Sequence, residues 1–307
     1  MLAIQKNNSI VSLQNLAKPT IKNDNDVLVR IIISGLCRTD LYVAKGLIKS
    51  SKEKLVLGHE FSGVVEAIGD SVTKIKVGDR VSVMPTIPCG DCRECESGFY
   101  ESCPNTLMLG QDLDGAFAEF IVVNQHAVFK LLDGISFQMG AYIEPLAASC
   151  SVLRAGILPH QRGLIYGDNR IAQLTHLILL EYGFSNTIIF TGDINELQKN
   201  EYDFVIETVA SSEIVSGLMK ILKPKGIFVI KSRIYSPVAF PFIDIVRKEI
   251  VLKGTNYMPF DETIKFVASI KNKSRIESLW NEPSLLKDFQ AVFDKNESKK
   301  QFFNISE

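Results

Sequence analysis

The stretch GLIYGDNRIAQLTHLILLEYG (163–183) decides the fold of the second half of this chain. It begins with an apolar run typical of a buried strand, turns at GDN, and continues with the apolar spacing of a helix. Another helix is predicted near 211–222. Alternating strands and helices predict a parallel sheet with helices on both faces. Strand-like segments recur downstream at NTIIF (186–190), DFVIE (203–207), GIFVI (226–230) and EIVLKG (249–254).

The turn within this stretch has part of a pattern that binds phosphate. A dinucleotide-binding turn reads G-x-G-x-x-G/A, and its second glycine lets the backbone approach the pyrophosphate. Here the three places hold Gly167, Asn169 and Ala172. Asn169 is the departure, although asparagine tolerates left-handed backbone angles better than most residues, and Arg170 is placed to contact phosphate directly. Two interpretations stay open, a cofactor site made of these four residues and a purely structural turn.

The first part of the chain is predicted to be rich in β-structure. Apolar and β-branched segments between Gly, Asp and Pro turns indicate short strands, namely VLVRIII (27–33), FSGVVEAIG (61–69) and FAEFIVV (117–123). Residues after about 274 return to short mixed elements. The 307 residues exceed one typical domain of roughly 100–200 residues. We therefore predict an α/β protein of two domains.

The charge and composition of the chain limit the kinds of partner that it is expected to bind. The chain has 34 Lys and Arg against 35 Asp and Glu, without a block of like charge, which argues against nucleic acid or an anionic membrane as partner. The N-terminus lacks a charged-then-apolar leader, and no run of about 18 apolar residues occurs. We predict a cytoplasmic protein whose partner is a small molecule. In a reducing cytosol its six cysteines are expected to be metal ligands, nucleophiles or core residues.

Four of these cysteines are closely spaced in CGDCRECESGFYESC (89–103). Cys89, Cys92, Cys95 and Cys103 stand among glycines and charged residues, which indicates a solvated loop. Four thiolates on a short loop suit a tetrahedral zinc with Zn–S bonds of about 2.3 Å and no open position. We predict a structural zinc site. An iron–sulfur cluster is the alternative, because cysteine ligands alone do not exclude it.

A second set of ligand-type residues lies nearer the N-terminus. Cys37 ends an apolar strand in SGLCRTD (34–40), and His59 and Glu60 follow in LGHEF (57–61). A thiolate, an imidazole and a carboxylate can hold zinc with one position left open, as in catalytic sites. Each residue alone is weak evidence, since a cysteine after a strand usually belongs to a core and a His-Glu pair is usually structural.

Taken together, several motifs resemble those of the zinc-dependent medium-chain dehydrogenase/reductase superfamily, most of all its threonine and polyol dehydrogenase branch. The motifs are SGLCRTD, LGHEFSGVVEAIG, VGDRV, CGDCRECESGFYESC and EPLAASCSVLRAG. The resemblance implies a GroES-like β-barrel domain over 1–143 and 274–307, which carries one catalytic and one structural zinc. It implies a Rossmann nucleotide-binding domain over 144–273, and a homodimer or homotetramer.

The resemblance also assigns roles in the open zinc site. Cys37 and His59 match its catalytic ligands. Glu60 and Glu144 match carboxylates that ligate the metal directly, through water or in exchange. For Glu144 a second interpretation stays open, because an acid ahead of Pro145 also suits the start of a helix.

Two further residues of SGLCRTD match positions that support catalysis in the family. Thr39 matches a hydroxyl that relays a proton, and Asp40 matches an acid that orients the imidazole of His59. The implied reaction transfers a hydride between a polar secondary alcohol (a polyol, sugar or amino alcohol) and NAD or NADP, with zinc as Lewis acid. One alternative is a non-redox zinc enzyme, a lyase, hydratase or isomerase, that has lost normal dinucleotide binding. Another is a catalytically silent interaction protein.

The segment between two predicted strands of the sheet is unusually short. Only residues 191–202 separate Phe190 from Asp203, which leaves room for a single crossover, whereas the family normally places an extra strand here. We therefore predict that the third Rossmann strand region is missing and that about five strands remain. Asp193 falls about twenty residues beyond Ala172, where an acid would bind ribose hydroxyls, and no Arg or Lys follows at once, which favours NAD over NADP.

Overall fold

The structure is a computed structural model that describes residues 1–100, 103–234, 236–295 and 298–306. Glu101 and Ser102 of the cysteine-rich stretch lie outside the described residues. The chain divides into two compact units. Unit 1 comprises residues 1–145 and 259–307, and unit 2 comprises residues 146–258.

Both units are built from short strands and helices. In chain order the strands are β1 Leu2–Asn7, β2 Ile10–Asn15, β3 Asp26–Leu36, β4 Lys54–Val56, β5 Glu60–Ile68, β6 Arg80–Val83, β7 Thr86–Ile87, β8 Leu107–Met108, β9 Phe120–Asn124, β10 Val128–Lys130, β11 Gly163–Tyr166, β12 Thr187–Phe190, β13 Tyr202–Glu207, β14 Leu222–Ile230, β15 Val251–Gly254, β16 Ser284–Leu285 and β17 Gln301–Asn304. The helices are α1 Arg38–Ala44, α2 Arg93–Glu96, α3 Phe137–Ala141, α4 Ile143–Cys150, α5 Arg170–Glu181, α6 Ser212–Ile221, α7 Phe242–Lys248, α8 Phe260–Ser269, α9 Ser274–Glu277 and α10 Phe289–Asp294.

Unit 1 is organised around β3. This strand pairs antiparallel with β5, β9 and β17, in a sheet whose main order is β10-β6-β5-β3-β17-β16. Its sequence DVLVRIIISGL is rich in β-branched residues, and most of its side chains are buried. A smaller sheet has the order β2-β1-β4. The pairing of β3 with β5 brings the end of one strand beside the start of the other.

Unit 2 contains the parallel sheet predicted from the sequence. Its order is β12-β11-β13-β14-β15, and each pairing is parallel. Alternate residues of β13 belong to two different hydrophobic clusters, Val205 to one and Phe204 and Ile206 to the other. Both faces of the sheet are therefore covered by apolar side chains. In such sheets ligands bind outside the carboxyl ends of the strands.

The segment after β12 is short, as the sequence indicates. Residues 191–201, all of them described, hold one 3-10 turn at Ile194–Glu196 and no strand. Across the part of the chain that the structure describes, no helix is both long and apolar enough to cross a membrane.

Several element and unit boundaries differ from the expected ones, and three of the differences bear on the architecture. The first unit boundary lies at 145 instead of 143, and the second lies at 258 instead of 273. The second differs because α8 belongs to unit 1, where the ring of Phe260 packs 5.4 Å from that of Phe129. The strand expected from Glu249 begins at Val251, because Glu249 has a φ of +52° and forms the left-handed end of α7.

Candidate metal centre and nucleotide-binding turn

Cys37, His59 and Glu60 meet at one end of the β3–β5 pairing. Cys37 directly follows β3, Glu60 is the first residue of β5, and the antiparallel register sets Gly35 opposite Glu60. One ligand atom from each of the three lies within 4.8 Å of the others. The structure thus brings together the thiol, the imidazole and the carboxylate that the sequence suggested.

Asp40 fixes the geometry of this group. Its Oδ1 lies 2.9 Å from Nδ1 of His59 and accepts a hydrogen bond from the backbone N–H of Gly58 at 3.2 Å. Its Oδ2 accepts from the backbone N–H of Cys37 at 2.8 Å. With Nδ1 engaged, Nε2 is the nitrogen of His59 that is left for a metal, and carboxylates commonly orient ligating histidines in this way.

Two glycines allow the close packing around the group. Gly58 has a φ of +96°, and a Cβ there would lie 2.6 Å from the ring of Phe117. A Cβ on Gly35 would lie 2.8 Å from Oε2 of Glu60. A larger residue at Gly35 would displace the side chain of Glu60 or Lys300, and one at Gly58 would displace Phe117, which packs against the residue next to His59.

A buried lysine completes the site, and the sequence did not point to it. Lys300 is 2% exposed and forms an ion pair through its Nζ with Oε2 of Glu60. The same Nζ donates a hydrogen bond to the carbonyl of Leu36 at 2.8 Å. Lys300 immediately precedes β17, which pairs with β3. A lysine ahead of an apolar strand is common on protein surfaces, so KKQFF (299–303) carried no signal for this role.

Burial and charge set the protonation of the site. Burial raises the pKa of Glu60; the positive charge of Lys300 opposes that rise and the negative charge of Glu144 adds to it. Burial lowers the pKa of His59, but the charge and hydrogen bond of Asp40, together with Cys37, outweigh burial and hold that pKa well above its usual value. Glu144, buried in the first turn of α4, therefore lies near Glu60, although it is outside the three-residue group.

This donor set fits a divalent metal such as zinc. Thiolate, imidazole and carboxylate are all zinc ligands, and three protein ligands leave a fourth position open for substrate. Because an imidazole ligand must be neutral, the raised pKa of His59 means that a proton competes with the metal for this nitrogen.

Cys89, Cys92, Cys95 and Cys103 form a second group whose sulfur atoms also lie within 4.8 Å of one another. Three Sγ–Sγ distances are 3.5, 3.8 and 4.0 Å, near the separation of about 3.8 Å expected between ligands of tetrahedral zinc. Burial raises the pKa of Cys103, but backbone N–H donors of Cys89 and Asn105 outweigh it and lower that pKa to about 7. The four side chains therefore fit a tetrahedral metal with no open position.

The predicted phosphate turn joins β11 to α5. Gly167 has a φ of +123°, and a Cβ there would lie 2.4 Å from Oγ1 of Thr208, so this position requires glycine. Ala172 is fully buried, as the third position of the pattern demands. Asn169 is the N-cap of α5, and its Oδ1 accepts a hydrogen bond from the N–H of Ala172 at 3.0 Å. Arg170 is the first residue of the helix and is half-buried.

Asp193 lies beyond the carboxyl end of the neighbouring strand β12, three residues after its last residue, Phe190. Since β12 pairs in parallel with β11, Asp193 and the phosphate turn share one edge of the sheet. Its exposed carboxylate accepts hydrogen bonds at 2.9 Å from the backbone N–H and from Nδ2 of Asn195.

Comparisons with known proteins agree with this geometry. Residues 23–133 match the alcohol dehydrogenase GroES-like domain. The chain is 34% identical over 207 residues to D-xylulose reductase A of Aspergillus niger, which covers 66% of this chain and 56% of that protein. It is 33% identical over 194 residues to sorbitol dehydrogenase of Bacillus subtilis, and this match covers 62% of this chain and 54% of that protein. The chain is thus similar to members of the medium-chain dehydrogenase/reductase superfamily. Its sequence relatives come from the polyol dehydrogenase branch, as the motifs predicted.

One solved structure has the same fold over nearly the whole length of the chain. A protein of Sinorhizobium meliloti, assigned as a zinc-binding dehydrogenase and bound to NADP, superposes with a TM-score of 0.88 at 24% identity, covering 99% of this chain and 98% of that one. The predicted GroES-like domain and Rossmann-type sheet are thus confirmed. In sequence, the matched region spans little more than half the length of the two dehydrogenase relatives.

Replacing Asp40 with asparagine is expected to weaken zinc binding at the open site by about 10–100-fold, the usual effect of removing a group that orients a metal ligand. In asparagine an NH₂ group replaces one of the two carboxylate oxygens. That donor would then face either the backbone N–H of Cys37 or Nδ1 of His59, each of which now lies against an oxygen of Asp40. Zinc affinity measured by chelator competition checks this. Asp26→Asn is the matched control, because Asp26 is also buried and accepts two backbone N–H bonds away from the site. Equal zinc affinities in both variants would contradict the role of Asp40.

Proposed function

We propose that this chain is a zinc-dependent oxidoreductase that transfers a hydride between a polar secondary alcohol and NAD or NADP. The observation that carries the proposal is the meeting of Cys37, His59 and Glu60 within 4.8 Å. The two sequence relatives are named for a ketose and a polyol, so a polyol or related sugar alcohol is the substrate class. Since both names describe redox reactions, a non-redox zinc enzyme is not favoured.

Each residue of the site would have a separate role in this reaction. When bound, zinc supplies Lewis acidity towards the alcohol and the nicotinamide nucleotide supplies the hydride acceptor. Cys37 and His59 would hold the metal, with Glu60 or Glu144 as the carboxylate. Thr39, half-buried two residues after Cys37, would pass the alcohol proton outward.

Unit 1 would carry both zinc ions and unit 2 would bind the nucleotide. Gly167, Asn169, Arg170 and Ala172 would lie against the pyrophosphate, and Asp193 against a ribose. An acid at that place favours NAD over NADP. The five strands and the short 191–201 segment support a Rossmann domain that lacks its third strand region.

The test is to load the protein with zinc, count the bound metal, and follow reduction of NAD and NADP with sorbitol and xylitol as substrates. Two zinc ions per chain and polyol-dependent reduction of either nucleotide support the proposal. A zinc-loaded protein that binds neither nucleotide at millimolar concentration would overturn it.

We further propose that the chain forms a homodimer or homotetramer in the cytoplasm, where its six thiols remain reduced. The support is an exposed apolar edge of unit 2. β15 is an edge strand of the sheet, and Val251 is 50% and Leu252 39% exposed, with Phe242 and Val246 of α7 more exposed still. Edge strands of this kind are templates for pairing with another chain.

Val251→Lys is therefore expected to shift the protein from oligomer to smaller species, because charged side chains, lysine above all, block strand pairing at an edge. Sedimentation velocity at micromolar concentration measures the shift. Val77→Lys is the control, since Val77 is 58% exposed in unit 1. An unchanged sedimentation coefficient for the β15 variant would show that this edge is not the interface.

A further inference from the structure

We propose that the side chain of Asn169 acts as a latch that closes the phosphate turn and lowers the affinity of this chain for dinucleotides. The latch is defined as Asn169 together with Thr208, the residue to which the Asn169 side chain donates hydrogen bonds. The inference rests on the proposed function, because it concerns how tightly the nucleotide of that reaction is held. It assigns to Asn169 an effect on affinity that is separate from the chemistry at the metal.

Every polar atom of the Asn169 side chain is already engaged within unit 2. Its Oδ1 accepts from the N–H of Ala172 at 3.0 Å. Its Nδ2 donates to the carbonyl of Thr208 at 3.1 Å and to Oγ1 of Thr208 at 2.9 Å. Oγ1 of Thr208 in turn donates to the carbonyl of Tyr166 at 2.8 Å. The turn after β11 is thus bonded to the end of β13 through one amide side chain.

These bonds occupy the place where a pyrophosphate would be recognised. The first N–H groups of α5 have no partner within the helix and are the usual phosphate donors, and the latch uses the one on Ala172. The second glycine of the dinucleotide pattern exists so that the backbone can approach the pyrophosphate. A nucleotide that binds here must therefore displace the side chain of Asn169 or bind further away. Asp168, which is exposed beside Asn169, adds a negative charge that repels the negative charge of a pyrophosphate.

The substitution Asn169→Gly removes the latch and restores the second glycine. Glycine is itself an acceptable N-cap, so α5 is expected to form normally. The hydrogen bonds of the latch oppose phosphate binding in the native chain, and a tenfold change in affinity corresponds to about 1.4 kcal/mol. We expect the variant to bind ADP and NADH about tenfold more tightly than the native chain.

Isothermal titration calorimetry of the zinc-loaded full chain measures this, with ADP as the main probe because it carries the pyrophosphate without the nicotinamide. Adenosine is the second probe, and its affinity is expected to stay unchanged because it has no phosphate. Asn186→Gly is the matched control, an exposed turn residue that precedes β12 at the opposite end of the strands. Circular dichroism melting of each variant checks that the fold is retained.

The outcomes separate the latch from the proposed function. Tighter ADP binding by Asn169→Gly alone, with adenosine unchanged, supports the latch. Equal ADP and NADH affinities in the native chain and the folded variant overturn the latch while leaving the dehydrogenase proposal intact. If neither the native chain nor the Asn169→Gly variant binds ADP or NADH, Asn169 is not what limits nucleotide binding. The latch proposal and the nucleotide-binding part of the proposed function then both fail.

Discussion

The proposed function predicts that Cys37→Ala reduces polyol oxidation by about 10³-fold or more and lowers the zinc content from two ions per chain to one. Removing the thiolate leaves His59 and the carboxylate with too few ligands to hold a metal against solvent. Loss of Lewis acidity removes several kcal/mol of transition-state stabilisation, and about 1.4 kcal/mol is tenfold in rate. Metal analysis of the purified variant and its kcat with NAD test both parts.

Cys150→Ala is the matched control for this experiment. Cys150 is fully buried and belongs to neither cysteine-containing metal group of the described residues. It should keep both zinc ions and most of the activity. The assignment of the open site fails if Cys37→Ala keeps two zinc ions per chain, or if it loses one ion without losing activity.

Lys300→Met is expected to destabilise the protein by about 3–5 kcal/mol, the cost of leaving one partner of a buried ion pair uncompensated. The partner is Glu60, which is 1% exposed. Of its other charged neighbours, Glu144 opposes the ionisation of Glu60 more strongly than His59 favours it. The measurement is urea unfolding in the Cys37→Ala background, where no metal can neutralise Glu60 in place of the lysine. In that background, adding Glu60→Gln should recover most of the lost stability.

The pH dependence of this variant has a definite sign. Burial already raises the pKa of Glu60, and loss of Lys300 raises it further. A carboxyl whose pKa is higher in the folded than in the unfolded state loses stability as pH rises through that range. The deficit should therefore be largest at neutral pH and above, and should shrink in acid as Glu60 takes up a proton.

Lys265→Met is the control for the lysine substitution. Lys265 pairs with Asp261 one helical turn away, but both side chains are more than half exposed, and such pairs contribute little. Its free energy of unfolding should stay close to that of the parent. A similar small effect for Lys300→Met would show that Glu60 is not ionised in the folded protein.

Much of the fold and of the metal centre could be predicted from the sequence because the relevant signals are local. Strand and helix periods mark the parallel sheet, and four closely spaced cysteines among polar residues indicate a metal whatever the surrounding fold. The second boundary of unit 2 differs from the expected one because packing, here of Phe260 on Phe129, decides to which unit α8 belongs.

The sequence by itself determined the fold class, the grouping of the four cysteines at 89–103 and the residue types of the candidate open site, since each follows from spacing or from motifs a few residues long. Only the tertiary structure revealed the Lys300–Glu60 pair and the bond from Asn169 to Thr208. Lys300 also bonds to Leu36, 264 positions earlier in the chain. The physical reason is that both contacts join residues distant in sequence, and no local pattern distinguishes a lysine or asparagine that becomes buried and bonded from one that remains in water.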